Sequence, residues 1–115
     1  MTYYIAGPMR GYPNNNLEAF EAARNALVAR GFDAVTPVDV CGSHAGDHVI
    51  ERCLAADMEF IVQKGTEGII VLPGWQRSKG TNAEVAAAIA VDKPVHEFAV
   101  FLLYGAEPPL ALVGE

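Results

Sequence analysis

Two carboxylates stand out for where they fall in the chain. Ile50, Cys53, Leu54, Met58 and Ile61 recur at i, i+3, i+4, i+8 and i+11, the stripe of one buried helix face, and Asp57 occupies the i+7 place on it. A buried carboxylate without a partner is costly, so Asp57 must be paired or protonated. Protonated near neutral pH, it has the form of a general acid. A helix rotated to bring Asp57 to the rim, or a loop amide holding the carboxylate, would account for it without chemistry. Glu84 closes the run Ser78-Lys79-Gly80-Thr81-Asn82-Ala83-Glu84, which leads from a loop into a helix. Thr81-x-x-Glu84 reads as a capping box, which alone explains the residue. The same N3 position sets the carboxylate over the end of the preceding strand, where the helix N-terminus favours its ionised form. An ionised, fixed carboxylate is what a nucleophile needs at an anomeric carbon. An acid and a carboxylate about 5–9 Å apart across an open pocket would favour glycosidic cleavage.

Other side chains admit a role beside a bland reading. Ser78 and Gly80 at a helix entrance make a small anion site, as they also make an ordinary loop. Arg10 follows the first strand and adds a charge-assisted contact unless it is merely exposed. Tyr4 reads first as a core aromatic, and its hydroxyl is also placed to orient Glu84. Trp75, in Pro-Gly-Trp-Gln-Arg, either stacks on a base or packs on an interface. His44, His48 and His96 lack ligand spacing, so no metal is expected. Cys41 and Cys53 form no C-x-x-C pair and read as two free thiols in a reducing cytosol.

The elements that must position these groups alternate. Thr2–Ala6 reads as a strand, followed by the Gly-, Pro- and Asn-rich loop to Asn16. The spacing predicts a helix over Leu17–Arg30, with Leu17, Phe20, Leu27 and Val28 inward, an Asn15/Glu18 capping pair and Gly31 just past its end. Phe32–Pro37 reads as a strand, Val38–Asp47 as a loop and His48–Lys64 as a helix. Glu67–Leu72 is an uninterrupted β-branched run, the mark of a strand buried on both faces. Pro73–Gly80 reads as a loop, Asn82–Val91 as a helix and Pro94–Phe98 as a strand. Residues 99–115 read as a strand continuation and tail, an arm for a neighbouring subunit. Alternating strands and helices predict a single α/β, flavodoxin-like three-layer domain over residues 1–98, with a parallel sheet of four to five strands. Ligands of such sheets bind beyond the carboxyl ends of the strands, where Gly7–Asn16, Val38–Asp47 and Pro73–Gly80 should gather.

Composition narrows the classes. A chain of 115 residues with 51% hydrophobic content forms one domain with a real core. Its net charge of −6 argues against binding a nucleic-acid polymer, while leaving room for one small phosphate ligand. The N-terminus has no signal-peptide pattern, and no apolar run is long enough to span a membrane, so a cytoplasmic place is expected.

Three segments, in order, resemble the nucleoside 2-deoxyribosyltransferase-like superfamily: Tyr4-Ile5-Ala6-Gly7-Pro8-Met9-Arg10-Gly11, Ala56-Asp57-Met58-Glu59-Phe60-Ile61, and Ser78 to Glu84. The opening is also similar to short, mostly phage and bacterial proteins carrying a domain of unknown function within or beside that superfamily. The resemblance spans Tyr3 to Phe98. It implies that Glu84 attacks C1′ to give a glycosyl-enzyme intermediate, that Asp57 protonates the leaving base, and that Tyr4 positions Glu84. It further implies that Gly7, Met9, Arg10 and Gly11 lie against substrate, with Ser78, Gly80 and Arg10 on a 5′-phosphate. No cofactor is implied, the partner is a nucleotide or nucleoside, and a homo-oligomer is expected by analogy. Pro8 stands where phosphate-binding members carry Ser, and Thr66-Glu67-Gly68 replaces the usual small residue and Asp before the third strand.

Leu72-Pro73-Gly74 with Gly80-Thr81-x-x-Glu84 is also similar to the phosphoribohydrolases that release cytokinins, whose loop is richer in glycine. A silent nucleotide-binding module of the same fold is the alternative from another class. There Glu84 would be only a cap and Asp57 only a hydrogen-bond partner. A purely structural subunit would account for the tail and Trp75 but not for Asp57.

Overall fold

The computed structural model describes residues 1–42 and 50–106. Four strands form one all-parallel sheet in the order β2-β1-β3-β4: β1 Thr2–Ala6, β2 Asp33–Val35, β3 Thr66–Val71 and β4 Val95–Glu97. Among the described residues five α-helices accompany it: α1 Leu17–Ala29, α2 Pro37–Cys41, α3 Ile50–Val62, α4 Lys79–Ala90 and α5 Phe98–Tyr104. This is a three-layer, flavodoxin-like α/β domain, as the strand and helix alternation predicts.

Period-two alternation divides the core between the two faces of the sheet. Tyr3 and Ile5 of β1, with Ile70 of β3 and Leu72 just past it, pack against Phe20, Ala23 and Leu27 of α1 and Phe101 of α5. Tyr4 and Ala6, with Ile69 and Val71, face Ile61 of α3 and Val85 and Ala88 of α4. The central strands are covered on both sides, which is why β3 carries no polar alternation. Tyr4 is thereby committed to the α3/α4 side, and this fixes where its hydroxyl can reach.

Several boundaries differ from the sequence reading. Pro37–Cys41 is a short helix rather than loop, started by a Thr36/Asp39 capping box. The strand before it is only Asp33–Val35. Helix α1 is preceded by a 3-10 turn at Pro13–Asn16, and its N-cap Asn16 is left-handed without a side-chain cap bond, so the Asn15/Glu18 cap does not form. Val28 is exposed and Ala23 takes the buried place, because the inward face is set by Phe20 and Leu27. The apolar run from Phe98 forms α5 rather than more strand, so the folded domain extends to Tyr104. Residues 43–49 and 107–115, which hold His44, His48 and most of the expected arm, lie outside the described residues. No helix among those described is long and apolar enough to cross a membrane.

Cys41 and Cys53 are joined by a disulfide with Cα atoms 5.4 Å apart, so they are not free thiols. The bridge links the end of α2 to α3. Their proximity arises because both helices pack on the same face of the sheet, a relation sequence spacing does not reveal.

Candidate active site

A cavity of about 510 Å³ opens beyond the carboxyl ends of β1 and β3. The loop after β1 supplies Gly7, Pro8, Met9, Arg10 and Tyr12. The loop after β3 and the first turns of α4 supply Arg77, Ser78, Lys79, Gly80, Thr81 and Glu84, while α3 contributes Cys53, Leu54 and Asp57. Of the residues singled out from sequence, Gly7, Met9, Arg10, Asp57, Ser78, Gly80 and Glu84 line this space. Tyr4 lies beneath it, fully buried.

Helix α4 begins earlier than its composition suggests. Ser78 is the N-cap, its hydroxyl accepting from the Thr81 amide at 3.2 Å. Thr81 is therefore not a cap. Its own hydroxyl donates to the Gly7 carbonyl at 3.0 Å, mooring α4 to the loop after β1. Glu84 falls in the second turn of the helix rather than at N3, so neither a capping box nor the helix N-terminus accounts for it.

Glu84 instead belongs to a buried polar triad. The Tyr4 hydroxyl donates to Glu84 Oε2 at 3.3 Å, and both carboxyls are almost wholly buried, Asp57 at 5% exposure and Glu84 at 6%. Burial, then the neighbouring Asp57 charge, pushes the Glu84 carboxyl up to about 8. Burial raises Asp57 to about 6, against opposing hydrogen bonds with Tyr4 and Glu84. Burial, with the two carboxylates beside it, also drives the Tyr4 phenol well up, so it remains a donor. Asp57 and Glu84 thus stand near enough for the charge on Asp57 to act on Glu84. Two buried neighbouring carboxyls give up their protons one after the other, and between about 6 and about 8 the pair holds one. Asp57 Oδ1 is buried with no partner among the described residues. At neutral pH, then, the cavity presents one carboxylate and one carboxylic acid from facing helices, steadied by a phenol.

Two residues singled out from sequence stand outside the cavity lining. Trp75 does not line the cavity; it packs against the cluster of Tyr4, Ile61 and Val85, so it offers no stacking surface there. Gly11 also lies outside the lining, at a positive φ of 86°. Tyr12, Arg77 and Lys79 line the cavity without having been singled out from sequence. The available signal was the two cations flanking Ser78. Among the described residues no group of three or more His, Cys, Asp or Glu is placed to hold a metal ion.

The domain is thus a parallel three-layer α/β fold with a cavity and a carboxyl pair beyond its strand ends, the position where such sheets bind ligands. The model of the family described as "Domain of unknown function (DUF4406)" matches residues 1–97, and the chain belongs to that family. None of the curated proteins matches it.

Proposed function

We propose that this domain cleaves the N-glycosidic bond of a nucleoside 5′-monophosphate or nucleoside, with Glu84 as nucleophile and Asp57 as general acid. The observation that carries the reading is the pair itself: two buried carboxyls at the wall of a cavity, with Tyr4 donating to one of them. A structural carboxyl pair would ordinarily be exposed or matched with a base. This one is neither, and it has a buried oxygen left without a partner. The likeness of the three sequence segments to the nucleoside 2-deoxyribosyltransferase-like superfamily supports the same roles.

The chemistry follows from the proton count. The single proton rests on Glu84, the more basic carboxyl, and must pass to Asp57 before reaction; a Glu84 oxygen then attacks C1′, the C1′–N bond breaks, and its electron pair stays on the base nitrogen. Asp57 delivers its proton to that base, through Oδ1 or its mate. Tyr4 donates to Glu84 and fixes its approach. The resulting ester carries the sugar on Glu84. Asp57, now a carboxylate, takes a proton from a water that attacks C1′ and frees the enzyme. A second base in place of water makes the outcome a transfer.

The test is release of free base from a panel of ribo- and deoxyribonucleosides and their 5′-monophosphates. Wild type is expected to release base from at least one member. Glu84→Ala is expected to lose this while keeping its fold, and Asp57→Asn to slow release while still binding. Normal turnover in Glu84→Ala would remove it as nucleophile. Nucleotide binding with no release by wild type would favour a silent binding module.

A further inference from the structure

The charge around the cavity is divided by depth. The chain carries a net −6, yet Arg10, Arg77 and Lys79, three of its eight Lys and Arg residues, line this cavity. The acidic residues lining it are Asp57 and Glu84, both buried, whereas Arg10, Arg77 and Lys79 are all exposed. An acidic protein that gathers cations at the mouth of a cavity is arranged for a ligand with an anionic end.

One of these cations is held in place. Arg77 Nη2 donates to the Tyr12 hydroxyl at 3.2 Å, across the gap between the loop after β1 and the loop after β3. Gly74 lies beneath this clasp at a φ of 85°. A Cβ there would meet Tyr12 Oη at 3.0 Å and Arg77 Nη2 at 3.1 Å, so a larger residue would be strained and would crowd the pair. A guanidinium has five N–H donors, and this bond uses one, leaving the rest of the fork for an incoming anion. The neighbouring first turn of α4 adds the backbone amides around Gly80. Asp57 Oδ1, buried and unpartnered among the described residues, is an independent sign that the same cavity receives a polar ligand.

We infer that Arg77, steadied by Tyr12, is the specificity-determining residue that receives a 5′-phosphate, making this a nucleotide site rather than a nucleoside site. The inference rests on the N-glycosidic reading for its orientation. With C1′ at the carboxyl pair, the substituent on C5′ extends toward the mouth, where Arg77 stands. Arg10 and Lys79 add attraction, but neither has a partner among the described residues that orients it, so Arg77 discriminates where they only attract.

The experiment compares binding, by calorimetry, of a panel of nucleoside 5′-monophosphates and the matching nucleosides to wild type, Arg77→Gln and Tyr12→Phe, with base release followed in parallel. Both side chains sit at the cavity mouth, and melting curves check that each variant is folded. Wild type is expected to favour nucleotide over nucleoside by about 10–100-fold, the range of charge-assisted hydrogen bonds. Arg77→Gln should erase most of that ratio, and Tyr12→Phe should erase part of it, through KM rather than kcat. A ratio unchanged in Arg77→Gln, or equal binding of both ligands by wild type, overturns the inference. An Arg77-dependent ratio without any base release would sustain the phosphate receptor and sink the glycosidase reading. Release from nucleosides and nucleotides with equal efficiency would do the reverse.

Discussion

In the proposed mechanism, Asp57 and Glu84 tie rate to pH through one proton. Below about 6 both carboxyls are protonated and no nucleophile exists; above about 8 both are ionised and no acid remains. The expected profile of kcat/KM is a bell between those values, falling about tenfold per pH unit on either side. Asp57→Asn should abolish the alkaline limb, because the acid is gone. A profile flat from 5 to 9 in wild type would detach the pair from the chemistry. Tyr4 enters as a donor only, its phenol being held well above the range of the measurement.

At the scale of elements, what places the pair is the packing of α3 and α4 on one face of β1 and β3, and contacts remote from the cavity maintain it. Lys93 Nζ caps the end of α3 by donating to the Ile61 carbonyl at 2.7 Å, and Thr66 Oγ1 donates to Phe60 O at 2.6 Å. Gly68 lets β4 approach β3: a Cβ there would lie 2.6 Å from the Pro94 carbonyl, which already accepts from the Ile69 amide at 3.0 Å. Gly68→Ala should therefore loosen the β3–β4 pairing and cost about 1–3 kcal/mol in urea unfolding. A neutral result would mean that β4 can shift without penalty.

The same elements show what a sequence can and cannot disclose. Strands β1 and β3 announce themselves through dense β-branched and aromatic runs, and Asp57 through its place on an apolar stripe. The run Phe98-Ala99-Val100-Phe101-Leu102-Leu103 has no polar punctuation, so strand and buried helix look alike there, and it is α5. Helix α4 begins ahead of its helix-forming residues because Lys79-Gly80 resembles loop, although Ser78 three residues ahead of Thr81 caps it. Tyr12 and Arg77 lie 65 residues apart, and their meeting depends on two loops arriving at one end of the sheet. No local pattern carries that information, nor the pairing of Cys41 with Cys53.

For the molecule as a whole, burying the pair has a thermodynamic consequence. The folded Glu84 pKa, about 8, stands above its ordinary value of 4.5, so the folded state binds more protons than the unfolded chain across that interval. Its contribution to stability is full at low pH and is lost as pH rises toward 8; Asp57 acts in the same sense up to about 6. His96, whose burial lowers its pKa, acts in the opposite sense, favouring the fold above 6.5 and weakening it as pH falls. Comparing wild type with Glu84→Gln separates the two. The variant should match wild type near pH 5 and exceed it by 1 kcal/mol or more, on the order of one pK unit's worth, at pH 8.5. Equal denaturation curves at both pH values would show that Glu84 ionises freely in the fold.

The bridge between Cys41 and Cys53 acts where no folded contact reveals it. In denaturant the chain keeps a covalent ring spanning residues 41–53, so its unfolded ensemble is smaller and less of its surface opens to solvent. Closing a ring of this size is worth about 3 kcal/mol in chain entropy. It should also lower the m-value of unfolding, which scales with the area exposed. A dithiol reductant opens the ring, and the molecule then has a second, lower stability with the same sequence.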